Sequence, residues 1–262
     1  MAKARASATV VAIANQKGGV GKSTTAINLS AGLAFQGERV LLVDLDPQGN
    51  SSSGVGIDRG AIELSTYEVI IDGVAIEDAI EPTSVNGFHI MPATIGLAGA
   101  EIELVALMNR ERRLATPLKK ISRDYDFVLI DCPPSLGLLT INGLTAASEV
   151  LIPIQCEYYA LEGVSQLVSN IQLVRQNINP QLKVEGVVLT MFDGRTTLSA
   201  DVVAQVRQHF EDTTYRTIIP RTVRLSEAPS YGEPIEALDP MSRGAMAYRE
   251  LAKEFRRRHG RS

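Results

Sequence analysis

A glycine-rich stretch near the beginning of the chain combines residue types that can bind phosphate. Residues 15–25 read NQKGGVGKSTT, with Lys17 before the first glycine and Lys22 after the last. Glycines let backbone N–H groups approach an anion closely, and a helix that begins after them turns the positive end of its dipole toward it. Lys22 can then reach the β- and γ-phosphates of a nucleotide, and the Ser23 hydroxyl can bind Mg²⁺. We predict nucleotide contacts from Lys17, Gly18, Gly19, Val20, Gly21, Lys22, Ser23 and Thr24.

Three aspartates follow two apolar runs, and each can add a carboxylate to this site. The segment LLVDLDPQGN (41–50) contains Asp44 and Asp46, and FVLIDCPPS (127–135) contains Asp131. In an open α/β sheet, ligands bind at the carboxyl ends of the strands. Asp44 and Asp46 are alternate residues of an extended chain, so both can face the phosphates. A single aspartate at a strand end is commonly a turn cap, but three of them beside a phosphate loop favour a magnesium site.

The elements that position these residues alternate along the chain. Short, nearly continuous apolar runs indicate strands buried on both faces of a parallel sheet, and apolar residues at three- and four-residue spacing indicate helices. The predicted strands are 9–14, 39–44, 88–91, 126–131, 149–154, 184–191 and 215–219. The predicted helices are 23–36, 98–107, 162–176, 199–210 and 242–258. Segment 51–87 is less regular and is expected to hold short helices and loops.

This alternation implies βαβ crossovers, so we predict an α/β fold with a doubly wound, mostly parallel sheet. The glycine-rich stretch follows a predicted strand and opens a predicted helix, which disfavours a glycine turn without a ligand. The chain is expected to form a single domain over residues 1–262, with residues 1–8 a short flexible N-terminus.

Composition excludes several classes of protein. The 262 residues are 45% apolar, and no window approaches the roughly 18 consecutive apolar residues of a membrane span. No long apolar run follows the N-terminal residues as in a secretory signal, so a cytoplasmic protein is expected. Two cysteines, Cys132 and Cys156, are too few for a disulfide scaffold, and we interpret both as small buried residues.

The charge distribution is uneven along the chain. A net charge of −4 argues against a globally basic nucleic-acid-binding protein. Residues 195–262, however, hold 12 Lys and Arg against 9 Asp and Glu, and 11 of those cations are arginine. A local basic patch is compatible with this count, and chance clustering on a solvated face is the simpler interpretation of the count alone.

The loop departs from the strict pattern G-x-x-x-x-G-K-[ST], because Gln16 stands at the first glycine position. Its form K-G-G-V-G-K-S resembles the deviant Walker A ATPases, and among them the ParA/Soj family of chromosome- and plasmid-partitioning proteins. The resemblance runs from about residue 9 to about residue 255. It continues through DLDPQGN (44–50), DCPPSLG (131–137), IPIQCEYYALEG (152–163), VVLTMFDGRT (187–196) and IIPRTVRLSEAPSYGEPI (218–235).

The resemblance implies a P-loop NTPase fold of the deviant Walker A class and assigns roles to several residues. Lys17 would reach across a dimer interface to the nucleotide of the other subunit, and Asp46 would position the attacking water. Lys17, Lys22 and Asp46 are thus the expected catalytic residues, and Ser23, Asp44 and Asp131 the expected residues at Mg²⁺. Pro220, Arg221 and Thr222 match the segment that holds adenine, although family members often have Asn at the position of Thr222. Arg195 and Arg224 match arginines that bind DNA non-specifically.

The function implied by the resemblance is an ATP-dependent switch for chromosome or plasmid partitioning. ATP would close a sandwich homodimer that binds double-stranded DNA without sequence preference. A ParB/Spo0J-type centromere-binding protein would stimulate a hydrolysis reaction that is slow alone. The expected location is cytoplasmic and nucleoid-associated, without stable membrane association.

Three other functions remain open from the sequence. A membrane-bound positioning ATPase resembling MinD would insert a C-terminal amphipathic helix into lipid. Residues 247–262, AYRELAKEFRRRHGRS, place Tyr248, Leu251, Ala252 and Phe255 on one face, but a helix packed on the core shows the same pattern. An iron–sulfur reductase would use Cys132 and Cys156. The third is a nucleotide-binding module without catalysis.

Overall fold

The computed structural model describes residues 6–158 and 162–261. Residues 1–5 of the expected flexible N-terminus, and residues 159–161 of the segment 152–163, lie outside the described residues. The strands are β1 (Thr9–Ile13), β2 (Val40–Asp44), β3 (Glu81–Pro82), β4 (Phe88–Met91), β5 (Phe127–Asp131), β6 (Glu149–Gln155), β7 (Lys183–Phe192) and β8 (Thr214–Pro220). The helices are α1 (Lys22–Phe35), α2 (Asn50–Gly54), α3 (Thr66–Ile70), α4 (Leu97–Glu103), α5 (Ala115–Lys120), α6 (Leu138–Ala146), α7 (Glu162–Asn177), α8 (Thr197–Phe210), α9 (Val223–Glu227), α10 (Ile235–Leu238) and α11 (Arg243–Arg258).

All of these strands belong to one sheet, in the order β3-β4-β2-β5-β1-β6-β7-β8. Every neighbouring pair is parallel except β3 and β4, which are antiparallel at one edge. The predicted mostly parallel sheet is therefore confirmed. The seven predicted strands are all present, and each end lies within one residue of its predicted position.

The helices confirm most of the predicted segments, but helix 98–107 differs, and α5, α6, α9 and α10 were not predicted. The predicted helix 98–107 was too long: α4 ends at Glu103 and continues only as a 3₁₀ turn, Leu104–Ala106, before the backbone becomes extended at Leu107. Helix α6 was not predicted, because its sequence LLTINGLTA is apolar on most sides and lacks a clear amphipathic period.

Alternate residues of each central strand enter two different hydrophobic layers, which is the geometry of a doubly wound fold. Val11 and Ile13 of β1 pack in a layer with Leu29 of α1 and Leu251 of α11. Ala12 of the same strand enters the layer on the other face, to which α5, α6, α7 and α8 contribute. The central strands are covered on both sides, which explains their continuous apolar sequences.

Helix α11 packs on α1 through the apolar face noted in the sequence. Its four apolar residues, Tyr248, Leu251, Ala252 and Phe255, are at most 1% exposed. The contact is close at Gly32 of α1, where an added Cβ would lie 3.0 Å from the Cβ of Ala252. The face that lipid insertion would require is therefore part of the core in this structure.

Within the described part of the chain, no helix combines the length and apolar character needed to cross a bilayer.

The end of the chain is bound to the amino edge of the sheet by charged side chains. The Arg256 guanidinium donates to Glu38 at 2.8 Å, and Arg261 also binds Glu38. The imidazole Nε2 of His259 lies 2.7 Å from a carboxylate oxygen of Glu149, the first residue of β6. These contacts close the edge opposite the one where the glycine-rich loop lies.

The two hydrogen-bond partners of His259 favour its protonated form. Its Nδ1 lies 2.8 Å from the carbonyl oxygen of Phe255 and its Nε2 faces Glu149. A carbonyl and an ionised carboxylate only accept, so a ring that is protonated on both nitrogens satisfies both contacts. Burial alone would lower the pKa of His259, but the hydrogen bonds and the charge of Glu149 outweigh it and raise the pKa. Lys183 also binds Glu149, at 3.0 Å, and Glu185 adds to the negative potential at His259.

We expect the substitution His259→Gln to destabilise the fold in a pH-dependent way. Because the folded-state pKa is raised, the stabilisation is fully present below the ordinary value of about 6.5 and is lost as pH rises through the folded pKa. The variant should lose about 1–3 kcal/mol in its free energy of unfolding near pH 6 and less near pH 9. Urea unfolding at both pH values measures this, with His209→Gln, an exposed histidine, as control. A loss that is equal at the two pH values would contradict the prediction.

Candidate nucleotide and metal site

Strand register brings the predicted site residues to one edge of the sheet. Strand β5 lies between β1 and β2, and Asp131 at its end is aligned with Ile13 on one side and Asp44 on the other. The glycine-rich loop, residues 14–21, begins directly after Ile13. The loop and both carboxylates therefore meet at the carboxyl edge, where parallel α/β sheets bind ligands.

The glycine-rich loop has the backbone geometry of an anion cradle. Gly19 and Gly21 have φ angles of +73° and +88°, in the left-handed region that favours glycine. An added Cβ at Gly18 or Gly19 would meet no other heavy atom within 4 Å, so the loop leaves open space above its backbone. No side chain caps α1, whose first residue is Lys22. The amide groups at that helix end are thus available to a phosphate.

Two polar side chains that the sequence analysis did not single out hold the loop in place. Asn15 accepts a hydrogen bond from the backbone N–H of Lys17 at 3.0 Å and donates to the carbonyl of Pro153 at 2.7 Å. The Thr190 hydroxyl donates to the carbonyl of Val20 at 2.8 Å. In the sequence, the only sign of either residue's role was a polar side chain inside or just after a buried strand.

Two adjoining cavities open along this edge. The first, which we call the phosphate cavity, has a volume of about 460 Å³ and is lined by residues including Gly18, Gly19, Lys22, Ser23, Asp46 and Pro134. The second, the base cavity, has a volume of about 230 Å³ and is lined by residues including Pro220, Arg221 and Thr222. Gly21, Thr24 and Met191 line both cavities. One elongated ligand with a phosphate end and a ring end would fit across the two.

The Thr222 side chain already has a structural partner. Its hydroxyl accepts a hydrogen bond from the backbone N–H of Leu225 at 3.3 Å and so caps α9. A contact from this hydroxyl to a base would compete with the cap. The predicted contact of the Pro220–Thr222 segment with a base would then come mainly from its backbone.

Lys22, the first residue of α1, and Asp46, which follows β2, both line the phosphate cavity. Both are largely buried, and the Lys22 ammonium donates to the carbonyl of Lys17 at 3.3 Å. Burial lowers the pKa of Lys22, and the carboxylates of Asp131 and Asp46 oppose that shift. Asp46 accepts from the backbone N–H of Gln48 at 3.0 Å, which fixes its orientation.

Asp44 and Asp131 are fully buried next to each other, and two serines bind them. The Ser52 hydroxyl donates to Asp44 at 2.7 Å, and the Ser51 hydroxyl donates to Asp131 at 2.7 Å. Burial and the neighbouring carboxylate raise the pKa of Asp44, and burial raises the pKa of Asp131 despite the opposing effect of the nearby Ser23 and Ser51 hydroxyls. The two serines were missed in the sequence, where their only signal was the serine run that follows Asn50.

Asp44 and Asp131 differ in whether both of their carboxylate oxygens accept a hydrogen bond. Both oxygens of Asp44 accept hydrogen bonds, from Asp46 and from Ser52. One oxygen of Asp131, Oδ1, is buried without a partner among the described residues. Carboxylate and hydroxyl oxygens are the ligands that Mg²⁺ prefers, and a cation would relieve the repulsion between the buried carboxylates. Asp131 and Ser23 therefore fit a magnesium ion, with Asp44 behind them.

The arginines predicted to bind DNA follow two neighbouring strands at this same edge. Phe192 of β7 is aligned with Pro220 of β8, so Arg195 and Arg224 both emerge beyond paired strand ends. The Arg195 side chain is 88% exposed and forms a two-point ion pair with Asp193. Arg224 is 54% exposed, and its guanidinium lies 3.4 Å from Glu227 and 3.5 Å from Asp239. Acidic neighbours thus partly neutralise both arginines.

Cys132 and Cys156 are free, buried thiols, as interpreted from the sequence. Burial raises the pKa of both, that of Cys156 to about 11. Because both thiols lie inside the fold, neither is placed to share a metal cluster with a second chain.

The fold and this site define a P-loop nucleotide-binding protein: a parallel sheet with a glycine-rich loop between its central strand and a helix, and acidic residues at the adjacent strand ends. A family described as an AAA domain matches residues 8–184. The sporulation initiation inhibitor protein Soj of Bacillus subtilis is 56% identical over 94% of this chain and 97% of its own length. The chromosome partitioning protein ParA of Myxococcus xanthus is 51% identical over 95% of this chain and 88% of its own. The chain belongs to the Soj/ParA family of chromosome-partitioning ATPases.

A solved structure supports the same class of site. A protein of Mycobacterium smegmatis, described as cobyrinic acid a,c-diamide synthase with bound ADP and magnesium, is 43% identical. It superposes with a TM-score of 0.85 and covers 97% of this chain and 96% of its own.

The loop geometry predicts that one glycine substitution lowers stability and another leaves it nearly unchanged. Gly21→Ala forces a Cβ into the left-handed region and should cost about 1–2 kcal/mol in free energy of unfolding. Gly18→Val meets open space and should change stability by less than about 0.5 kcal/mol. Urea unfolding without nucleotide measures both. Equal losses in the two variants would show that the loop is packed differently from this structure.

Proposed function

We propose that this chain is an ATP-driven switch for the partitioning of a chromosome or plasmid, built as a single ATPase domain over residues 1–262. The observation that carries the proposal is the contrast between the two lysines of the glycine-rich loop. Lys22 is buried in the phosphate cavity. Lys17 is exposed and forms no ion pair with any residue in the described ranges. A cation that is free in one subunit is available to a second.

The proposed chemistry uses ATP and Mg²⁺. Backbone amides of the loop and the Lys22 ammonium would hold the β- and γ-phosphates, and Ser23 and Asp131 would hold the metal. Bound Mg²⁺ neutralises phosphate charge. Asp46 is oriented by Gln48 within the phosphate cavity, which supports its role in orienting the attacking water. The nucleotide-bound structural relative supports ADP and magnesium as ligands of this class of site.

Dimerisation would complete the site. Charge that develops on the transferred phosphoryl group needs a cation, and Lys17 from the partner would supply it. The open space above Gly18 would let two loops approach each other. Hydrolysis would then require the dimer and be slow without a stimulating partner of the ParB/Spo0J type. These assignments make Lys17, Lys22 and Asp46 the catalytic residues.

Asp46→Ala should separate dimerisation from hydrolysis. Without the oriented water, hydrolysis should fall by about 10²–10⁴-fold, while the ATP-bound dimer persists. Light scattering with ATP, read beside phosphate release, tests this. Gly18→Val is the matched variant: it should bind ATP but stay monomeric, because a β-branched side chain would separate the two loops. Normal turnover by Asp46→Ala would assign the water to another carboxylate, and a stable Gly18→Val dimer would contradict the interface.

DNA binding is the proposed output of the switch. Arg195 and Arg224 would contact the phosphate backbone of double-stranded DNA, because a planar guanidinium donates two bonds at once and a nucleoid tether needs no base readout. Their ion pairs with Asp193, Glu227 and Asp239 mean that one subunit presents a weak site. Doubling the surface by dimerisation would couple DNA binding to ATP. The proposed location is accordingly cytoplasmic and nucleoid-associated, without stable membrane association.

Arg195→Glu and Arg224→Glu should each weaken DNA binding for unrelated sequences and leave ATP-dependent dimerisation intact. The logarithm of affinity should fall with the logarithm of salt concentration with a slope near −0.9 per phosphate contacted, and each variant should flatten that slope. Filter binding at two salt concentrations measures both effects. Arg216→Glu, an exposed arginine near the opposite end of β8, is the control for net charge. If it weakens binding equally, the effect is one of overall charge and the proposed surface is wrong.

A further inference from the structure

We propose that Glu101 of α4 is a positioning residue for ATP hydrolysis, acting through the segment that follows Asp131. We call residues 132–137 the Asp131 loop. The Glu101 carboxylate accepts hydrogen bonds from the backbone N–H of Leu138 at 2.8 Å and of Leu139 at 3.2 Å. These are the first two amides of α6, which have no partner within the helix. A negative charge there also interacts favourably with the helix dipole. The inference rests on the ATPase function proposed above.

Gly137 makes room for this contact. A Cβ at that position would overlap both carboxylate oxygens of Glu101. The φ angle of Gly137 is −81°, which any residue can adopt, so the backbone does not require glycine here. Glycine is required because the Glu101 carboxylate lies where a Cβ would be in contact with it. An alanine at this position would therefore displace Glu101 without straining the chain.

The Asp131 loop links this contact to the phosphate cavity. It begins directly after the proposed magnesium ligand, Asp131, and its Pro134 lines the cavity. Its far end is the start of α6, where Glu101 binds. The body of α6 is held separately by Asn142, which donates to the carbonyl of Arg110 at 2.7 Å and accepts from the N–H of Leu114 at 3.2 Å. Loss of the Glu101 contact should thus loosen the loop while α6 stays in place.

Positioning and simple helix capping predict different kinetics. None of the residues lining the base cavity belongs to α4, α6 or the Asp131 loop. Removing the contact should therefore lower kcat and leave nucleotide affinity nearly unchanged. Removing a contact that only stabilises the fold would lower the melting temperature and leave the kcat of the folded protein unchanged.

The test compares Glu101→Gln and Gly137→Ala with Glu103→Gln as matched control. Glu103 lies on the same helix, is exposed and accepts from the Tyr67 hydroxyl at 3.0 Å. In Glu101→Gln we expect kcat to fall about 10- to 100-fold, with KM and the affinity for a fluorescent ATP analogue changed by less than about twofold. Hydrogen exchange without nucleotide should accelerate in peptides covering residues 132–139 and not across the protein. Glu103→Gln should match the wild type in all three measurements.

The double variant Glu101→Gln/Gly137→Ala should be no slower than the slower single variant, because both changes break one contact. Three results would overturn the inference while the wild type hydrolyses ATP: an unchanged kcat in Glu101→Gln, an equal loss in Glu103→Gln, or multiplying effects in the double variant. A wild type that hydrolyses no ATP, even with ParB-type partner and DNA, would instead overturn the proposed function itself.

Discussion

The burial of two adjacent carboxylates at the end of the central strands is the constraint on which the site depends. A buried charge is costly unless it is paired and hydrogen-bonded, and Asp44 and Asp131 repel each other as well. The surrounding residues stabilise the two carboxylates to different extents. Ser52 and the turn at Asp46 satisfy Asp44, whereas Ser51, Ser23 and the Lys22 ammonium offset only part of the charge of Asp131. The remaining demand for positive charge at Asp131 suits the edge to a metal ion, and a bound cation would in turn attract phosphate.

The two edges of the sheet differ in how fully their charged side chains are paired. At the amino edge, Glu38, Glu149 and Glu254 each have cationic partners from the last residues of the chain. Arg258 in addition lies 3.8 Å from the centroid of the Tyr215 ring. At the carboxyl edge, Asp131 keeps an unpartnered oxygen and Lys17 an unpaired ammonium within the described residues. One edge is therefore built for stability and the other is left incomplete for a ligand.

Tertiary packing also bears on two of the alternative functions that the sequence left open. The apolar face of α11 and the two cysteines are ambiguous as sequence features, since each fits a core role and a functional one. In the structure all of them are buried, which assigns them to the core. Arg195 and Arg224, which follow β7 and β8, are exposed, and each forms an ion pair with an acidic side chain. A basic patch counted along the chain is thus weaker on the surface than the count suggests.

The sequence by itself determined the strands, the long helices and the glycine-rich loop, because these follow from local patterns: continuous apolar runs, three- and four-residue periodicity, and glycines between a strand and a lysine. It also placed Asp44, Asp46 and Asp131 at one edge, since parallel strands end together. Only the tertiary structure decided which groups satisfy them. The contacts of Ser51 with Asp131, Thr190 with Val20 and Glu101 with Leu138 join residues 80, 170 and 37 positions apart. Such pairs depend on strand order and register, which no local pattern encodes, and the short or uniformly apolar elements β3 and α6 escaped prediction because packing rather than periodicity determines their conformation.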